Sequence, residues 1–135
     1  MSVGLVVVSH SVKIAEGVVE LAAPMAAEVR IRAAGGTADG GIGTDATLIA
    51  EAVEAADDGD GVLVLVDLGS AVLLAQLAID ELVDQERRSR VRISEAPLVE
   101  GAVIGAVQAS TGSALDEVDE AARAAATMAK VKEQG

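Results

Sequence analysis

Val3-Gly4-Leu5-Val6-Val7-Val8-Ser9-His10-Ser11 decides the fold. Six residues of almost unbroken aliphatic character, rich in β-branched side chains, read as a short strand buried on both faces. A strand of that kind belongs to a parallel sheet covered by helices on each side. Immediately after it, Val12, Ala15, Val18, Val19 and Ala22 recur at helical spacing, so a helix starts near Ser11, which suits the N-cap. Pro24 ends or kinks that helix.

The alternation of strand and helix continues down the chain. A second strand is predicted over 28–33, followed by a glycine-rich loop and a helix capped by Asp45 with Leu48, Ile49, Ala52, Val53 and Ala56 on its buried face. The acidic run 57–60 reads as a turn. Val62–Val66 is the third strand, and Ser70 is predicted to cap a helix running to about residue 84. Arg87, Arg88 and Arg90 read as a basic, solvated face that can also serve as a docking patch. A fourth strand over 91–94 precedes a helix with Pro97 in its first turn. A last helix is predicted behind a capping box formed by Ser113 and Asp116. Strands alternating with helices imply an α/β fold: an open, mainly parallel four-stranded sheet with helices on both faces and right-handed crossovers. The common strand order is 2-1-3-4. With no linker or internal repeat, residues 1–135 are expected to form one domain.

Composition narrows the function. Phe, Tyr and Trp are all absent, so the core is aliphatic and no aromatic platform exists for stacking bases. A formal net charge of −12 repels nucleic-acid phosphates and anionic lipid. Without cysteine there is no disulfide, thiolate or cysteine-based metal chemistry. The apolar runs are too short to cross a bilayer, and no basic leader precedes the first strand, so a cytoplasmic location is expected. No metal and no cofactor is expected either.

In open α/β sheets ligands bind beyond the C-terminal strand ends, where strand order reverses. With order 2-1-3-4 that point lies between strands one and three. The residues just past those strands are His10, the single histidine, and Asp67. Imidazole is a nucleophile near neutral pH, and a carboxylate on one ring nitrogen leaves the other free to attack. A phosphoryl group held there needs donors. Gly35, Gly36, Gly40 and Gly41 allow close approach of main-chain N–H groups, the helix start at Ser11 lends its positive end, and Ser11, Thr37 and Ser70 carry hydroxyls. Each feature also has a plainer reading: a structural histidine, a turn aspartate and a flexible loop. The loop lacks the P-loop ending, and no dinucleotide fingerprint follows the first strand.

Val8-Ser9-His10-Ser11, the segments 15–21 and 34–44, Val66-Asp67-Leu68-Gly69-Ser70-Ala71 and the segment 96–102 together resemble one family. It is the phosphoryl-donor subunit DhaM of the phosphoenolpyruvate-dependent dihydroxyacetone kinase, with the fold of the mannose-type enzyme IIA of the phosphotransferase system (PTS). The resemblance implies that His10 is the phosphorylated residue and Asp67 its carboxylate partner, with the Gly35–Gly41 loop and Ser70 lining the phosphate pocket. It implies HPr as donor, charged by enzyme I, and as acceptor ADP held in the nucleotide-binding subunit DhaL, with DhaK binding dihydroxyacetone. The setting is glycerol metabolism and the expected assembly a homodimer. Some members carry fused HPr-like and enzyme I-like domains, so a chain stopping at Gly135 is expected to use external HPr. The residues after Ser70, from Val72 to Gln76, are more apolar than the family pattern. Two alternatives keep the fold: an enzyme IIA domain of a mannose-family sugar transporter, and a regulatory module that senses phosphorylation without passing it on. The helix after Pro97 places Val99, Ala102, Val103, Ala106 and Val107 on one face and Leu98, Ile104 and Gly105 on the other, so part of it is expected in a subunit interface.

Overall fold

The computed structural model describes residues 1–131; the last four residues of the expected 1–135 domain lie outside the described residues. Four strands, β1 (Gly4–Ser9), β2 (Ile31–Gly35), β3 (Val62–Val66) and β4 (Val91–Ile93), form one sheet in the order β2-β1-β3-β4. All three pairings are parallel, with β1 registered between Leu5↔Ile31 and Leu5↔Leu63. The expected topology is therefore borne out.

The continuous apolar runs divide by parity, as the two-residue period of a strand requires. Leu5 and Val7 of β1 and Leu63 and Leu65 of β3 face one side, where α1 (Val12–Ala22), α5 (Leu98–Ser110) and α6 (Leu115–Ala124) cover them. Val6, Val8, Val62 and Val64 face the other, against α2 (Ala46–Ala56) and α3 (Ser70–Leu82). Small side chains let the layers approach closely. A Cβ on Gly4 would lie 2.1 Å from the Ala56 carbonyl oxygen, so α2 packs at this point against a residue with no side chain. On α5 the buried positions are Gly101, Ala102, Gly105, Ala106 and Ala109. Val99 and Val107, read with Ala102 as one face of this helix, are exposed in the single chain.

Several local expectations are corrected. The second strand starts at Ile31 rather than residue 28, because Val29 N–H closes a turn onto the Ala26 carbonyl and pairing with β1 begins only after it. Pro97 stands at the N-cap of α5 rather than inside its first turn. Residue 114, not Ser113, occupies the N-cap of α6. There Glu117 accepts from the Ala114 N–H, while the Ser113 hydroxyl meets Gln108 and Thr111. Asp116 pairs with Arg92 of β4 instead of joining a box.

The arginine cluster is not a solvated face. The Asp57 carboxylate, its side chain 1% exposed, takes Arg87 at 2.9 Å and Arg90 at 2.8 Å. Arg88 donates to the Ile79 and Val83 carbonyls at the end of α3. Arg87 and Arg88 sit on a short helix, α4 (Gln85–Arg88), that the sequence pattern did not announce. These ion pairs tie the C-terminal end of α2 to the segment that leads into β4. Burial pushes the Asp57 carboxyl up, but hydrogen bonds from Arg90, the Gly59 N–H and Arg87 outweigh it and bring it down to about 2.

Candidate active site

β1 and β3 lie side by side, and their C-terminal ends deliver His10 and Asp67 to one place. The His10 ring Nδ1 lies 3.0 Å from Asp67 Oδ1. The carboxylate is held on all sides. Oδ1 also accepts the Leu68 N–H at 2.8 Å, and Oδ2 accepts the His10 main-chain N–H and the Ser9 hydroxyl, each at 3.0 Å. Burial pushes the Asp67 carboxyl up, yet these bonds, led by the His10 N–H and ring, prevail and hold it below the usual carboxylate range.

An ionised carboxylate only accepts, so the proton between the two side chains sits on Nδ1. That leaves the Nε2 lone pair, and the Ser70 hydroxyl stands 3.1 Å from it as donor. The ring keeps 24% of its surface exposed, against 14% for Asp67. His10 is thus pinned on one edge and open on the other. Through Nδ1–H the carboxylate can stabilise positive charge on the ring, and in this tautomer Nε2 can act as a nucleophile.

The helix starts frame this edge. Ser11 is the N-cap of α1, its Oγ accepting the Ile14 N–H at 3.3 Å. Val12 and Lys13 therefore belong to the first-turn donors that a helix leaves unsatisfied, next to His10. Ser70 does not cap α3 as predicted. Gly69 occupies that position, and Ser70 is the first helical residue with its hydroxyl turned to the ring.

The glycine loop reaches the site, but not as a set of free amides. Gly35 closes β2 opposite Ser9. The Gly36 N–H donates to the Ser9 carbonyl, Thr37 N–H to the Gly41 carbonyl, and Gly40 N–H to the Thr37 carbonyl. Gly41 N–H donates to Thr37 Oγ1, whose hydroxyl bonds Asp39. These donors are engaged in shaping the loop, because a tight turn must satisfy its own main-chain groups. What the loop gives the site is an anchor: the Gly43 N–H donates to the His10 carbonyl at 2.9 Å. Ser9, Leu68 and Gly43 are site residues that the sequence reading missed. Leu68 and Gly43 act through main-chain N–H groups, which leave no trace in side-chain identity. The one available signal was that Ser9 is a polar residue ending an otherwise apolar buried strand.

Beside Asp67, between the ends of β3 and β4, a cleft of about 500 Å³ is lined by Leu68, Val72, Gln76, Ile93, Glu95 and Ala96 among others. Leu68, Leu73 and Ile42 are exposed near the site. Among the described residues no group of three or more His, Cys, Asp and Glu side chains is disposed to hold a metal ion, and no helix is long and apolar enough to cross a membrane.

A parallel sheet in this order with a histidine–carboxylate pair at its switch point has the form of an enzyme IIA-type domain, and the family model described as PTS system fructose IIA component matches residues 4–119. The phosphoryl donor subunit DhaM of PEP-dependent dihydroxyacetone kinase 2 from Listeria innocua serovar 6a is 42% identical over 107 residues, covering 78% of this chain and 85% of its own. The chain belongs to the DhaM family of these domains. DhaM of the PEP-dependent dihydroxyacetone kinase from Escherichia coli (strain K12) is 45% identical over 120 residues, 86% of this chain. This chain spans only a quarter of that relative's length, 25%. A crystal structure of a protein of unknown function superposes with a TM-score of 0.82 at 35% identity, over 92% of this chain and 95% of the other.

Proposed function

We propose that this protein is a phosphohistidine carrier that accepts a phosphoryl group on His10 Nε2 from phospho-HPr and delivers it to ADP bound in the DhaL subunit of dihydroxyacetone kinase. DhaK would hold the final acceptor, and the carrier would work in the cytoplasm as a homodimer, within glycerol metabolism. The observation that carries this reading is the orientation of His10: Nδ1 on an ionised carboxylate, Nε2 at the open edge. In the transfer, the Nε2 lone pair attacks phosphorus in line. The phosphorus–nitrogen bond of the donor breaks, and the departing imidazole takes the bonding pair. The His10 ring gains positive charge and keeps its Nδ1 proton, which the Asp67 carboxylate balances. The protein supplies position and charge stabilisation, with no proton transfer to the phosphoryl group. The Ser70 hydroxyl, released from Nε2, turns to a phosphoryl oxygen, and the first-turn amides of α1 face the same charge.

Exposed Ile42, Leu68 and Leu73 suit a reaction whose substrates are carried on proteins. Exposed Val99 and Val107 of α5 are apolar surface available to a second copy. The test is a relay with purified enzyme I, HPr and labelled phosphoenolpyruvate, then DhaL loaded with ADP. Wild type becomes labelled and discharges onto ADP, while His10→Ala remains unlabelled. Labelling of His10→Ala refutes the assignment. Discharge onto a sugar transporter domain but not DhaL identifies the transporter alternative.

A further inference from the structure

We infer that the buried Ser9 hydroxyl is a positioning residue for the transfer, holding Asp67 so that the imidazole proton stays on Nδ1. This deepens the carrier reading above and rests on it for its consequence, though not for its geometry. Ser9 is the last residue of β1 and 0% exposed, unusual for a polar side chain in an aliphatic core. Both functions of its hydroxyl are used. It donates to Asp67 Oδ2 at 3.0 Å and accepts the Ser11 N–H at 3.1 Å.

The two bonds join the parts of the site that must keep register. Ser11 is the cap of α1, and Asp67 follows β3 on the neighbouring strand. His10, between Ser9 and Ser11, has its main chain held by Asp67 Oδ2 and its ring by Oδ1. Asp67 can hold the ring only if its carboxyl plane presents Oδ1 to Nδ1. That plane is set by the Leu68 N–H on Oδ1 together with what grips Oδ2, namely the His10 N–H and Ser9. The His10 N–H is a main-chain group on the residue being positioned. Ser9 is the one side-chain donor on Oδ2 among the described residues besides the ring itself, which lies at 3.3 Å. Without the hydroxyl Oδ2 keeps only the His10 N–H, the carboxylate can tilt about its final bond within its two main-chain donors, and the imidazole can exchange to the tautomer with its proton on Nε2. In that tautomer the attacking lone pair is gone.

Ser9→Ala removes one oxygen from a buried site and leaves the strand intact. Nitrogen-15 spectra of His10 at alkaline pH should show the Nδ1–H form in wild type and a mixture of tautomers in Ser9→Ala. The rate of phosphoryl acceptance should fall on the order of tenfold. In the Asp67→Ala background the same substitution should change the rate by less than about twofold, since a residue acting through Asp67 has nothing left to position. An unchanged tautomer ratio, or a full and additive effect in the Asp67→Ala background, overturns the inference. The spectra need no phosphoryl donor, so they test Ser9 even if the relay shows that HPr is not the source. Failure of wild type to become labelled would count against the carrier reading alone.

Discussion

Replacing Asp67 by Asn keeps the shape of the site and removes its charge. The carboxylate accepts two main-chain donors that cannot move aside: Leu68 N–H on Oδ1 at 2.8 Å and His10 N–H on Oδ2 at 3.0 Å. An asparagine offers one oxygen and one NH2 group. Whichever way the amide turns, one of these N–H groups faces another donor, a conflict that costs about 1–3 kcal/mol of stability. The chemical step suffers separately. A unit charge on the ring about 4 Å from the carboxylate is stabilised by about 4 kcal/mol at an effective dielectric of about 20. The pair is partly exposed, which reduces this to roughly 2–3 kcal/mol. The rate of phosphoryl acceptance should therefore fall on the order of 10²-fold. If the NH2 group faces the ring, the proton is driven to Nε2 and the loss is larger. Rapid-quench labelling from phospho-HPr measures the rate, and urea unfolding measures the stability. A folded Asp67→Asn protein that accepts phosphoryl within about threefold of the wild-type rate would show that the carboxylate is not coupled to the charge on the ring.

Two further predictions concern stability. The Asp57 carboxyl, at about 2 in the folded protein, lies below its unfolded value, so the unfolded state binds more protons between them. Its contribution, about 2 kcal/mol, is complete above roughly pH 5 and is lost as pH falls toward 2. The urea midpoint of wild type should drop over that interval more steeply than that of Asp57→Asn, and equal slopes would refute the pairing with Arg87 and Arg90. For Gly35→Ala, the new Cβ would lie 2.7 Å from the Ser11 carbonyl oxygen and equally close to Val12 Cα and Ala15 Cβ. Main-chain atoms cannot yield, so α1 must shift away from β2, at a cost of about 1–3 kcal/mol. Urea unfolding checks the cost, and unchanged stability would mean that the helix is not seated as described.

Alternation of buried strands with amphipathic helices is written in residue identity, because strand and helix periods are local properties. The four strands, the caps at Ser11 and Asp45, and the strand-end positions of His10 and Asp67 were legible for that reason. The sheet order was expected only as the common one for this pattern of elements. Other features depend on atoms far apart in the chain. Asp57 looked like a turn residue until two arginines some thirty positions later were found to surround it. Ser70 had the identity of a cap, but its hydroxyl found the imidazole instead. The glycine loop suggested a cradle of free amides, yet those donors close on the loop itself or, for Gly36, on the Ser9 carbonyl, since a turn satisfies its main-chain groups wherever it can. The tautomer of His10 was beyond any reading of the sequence. It follows from which oxygen meets which nitrogen, and only packing β1 beside β3 brings those atoms within 3.0 Å.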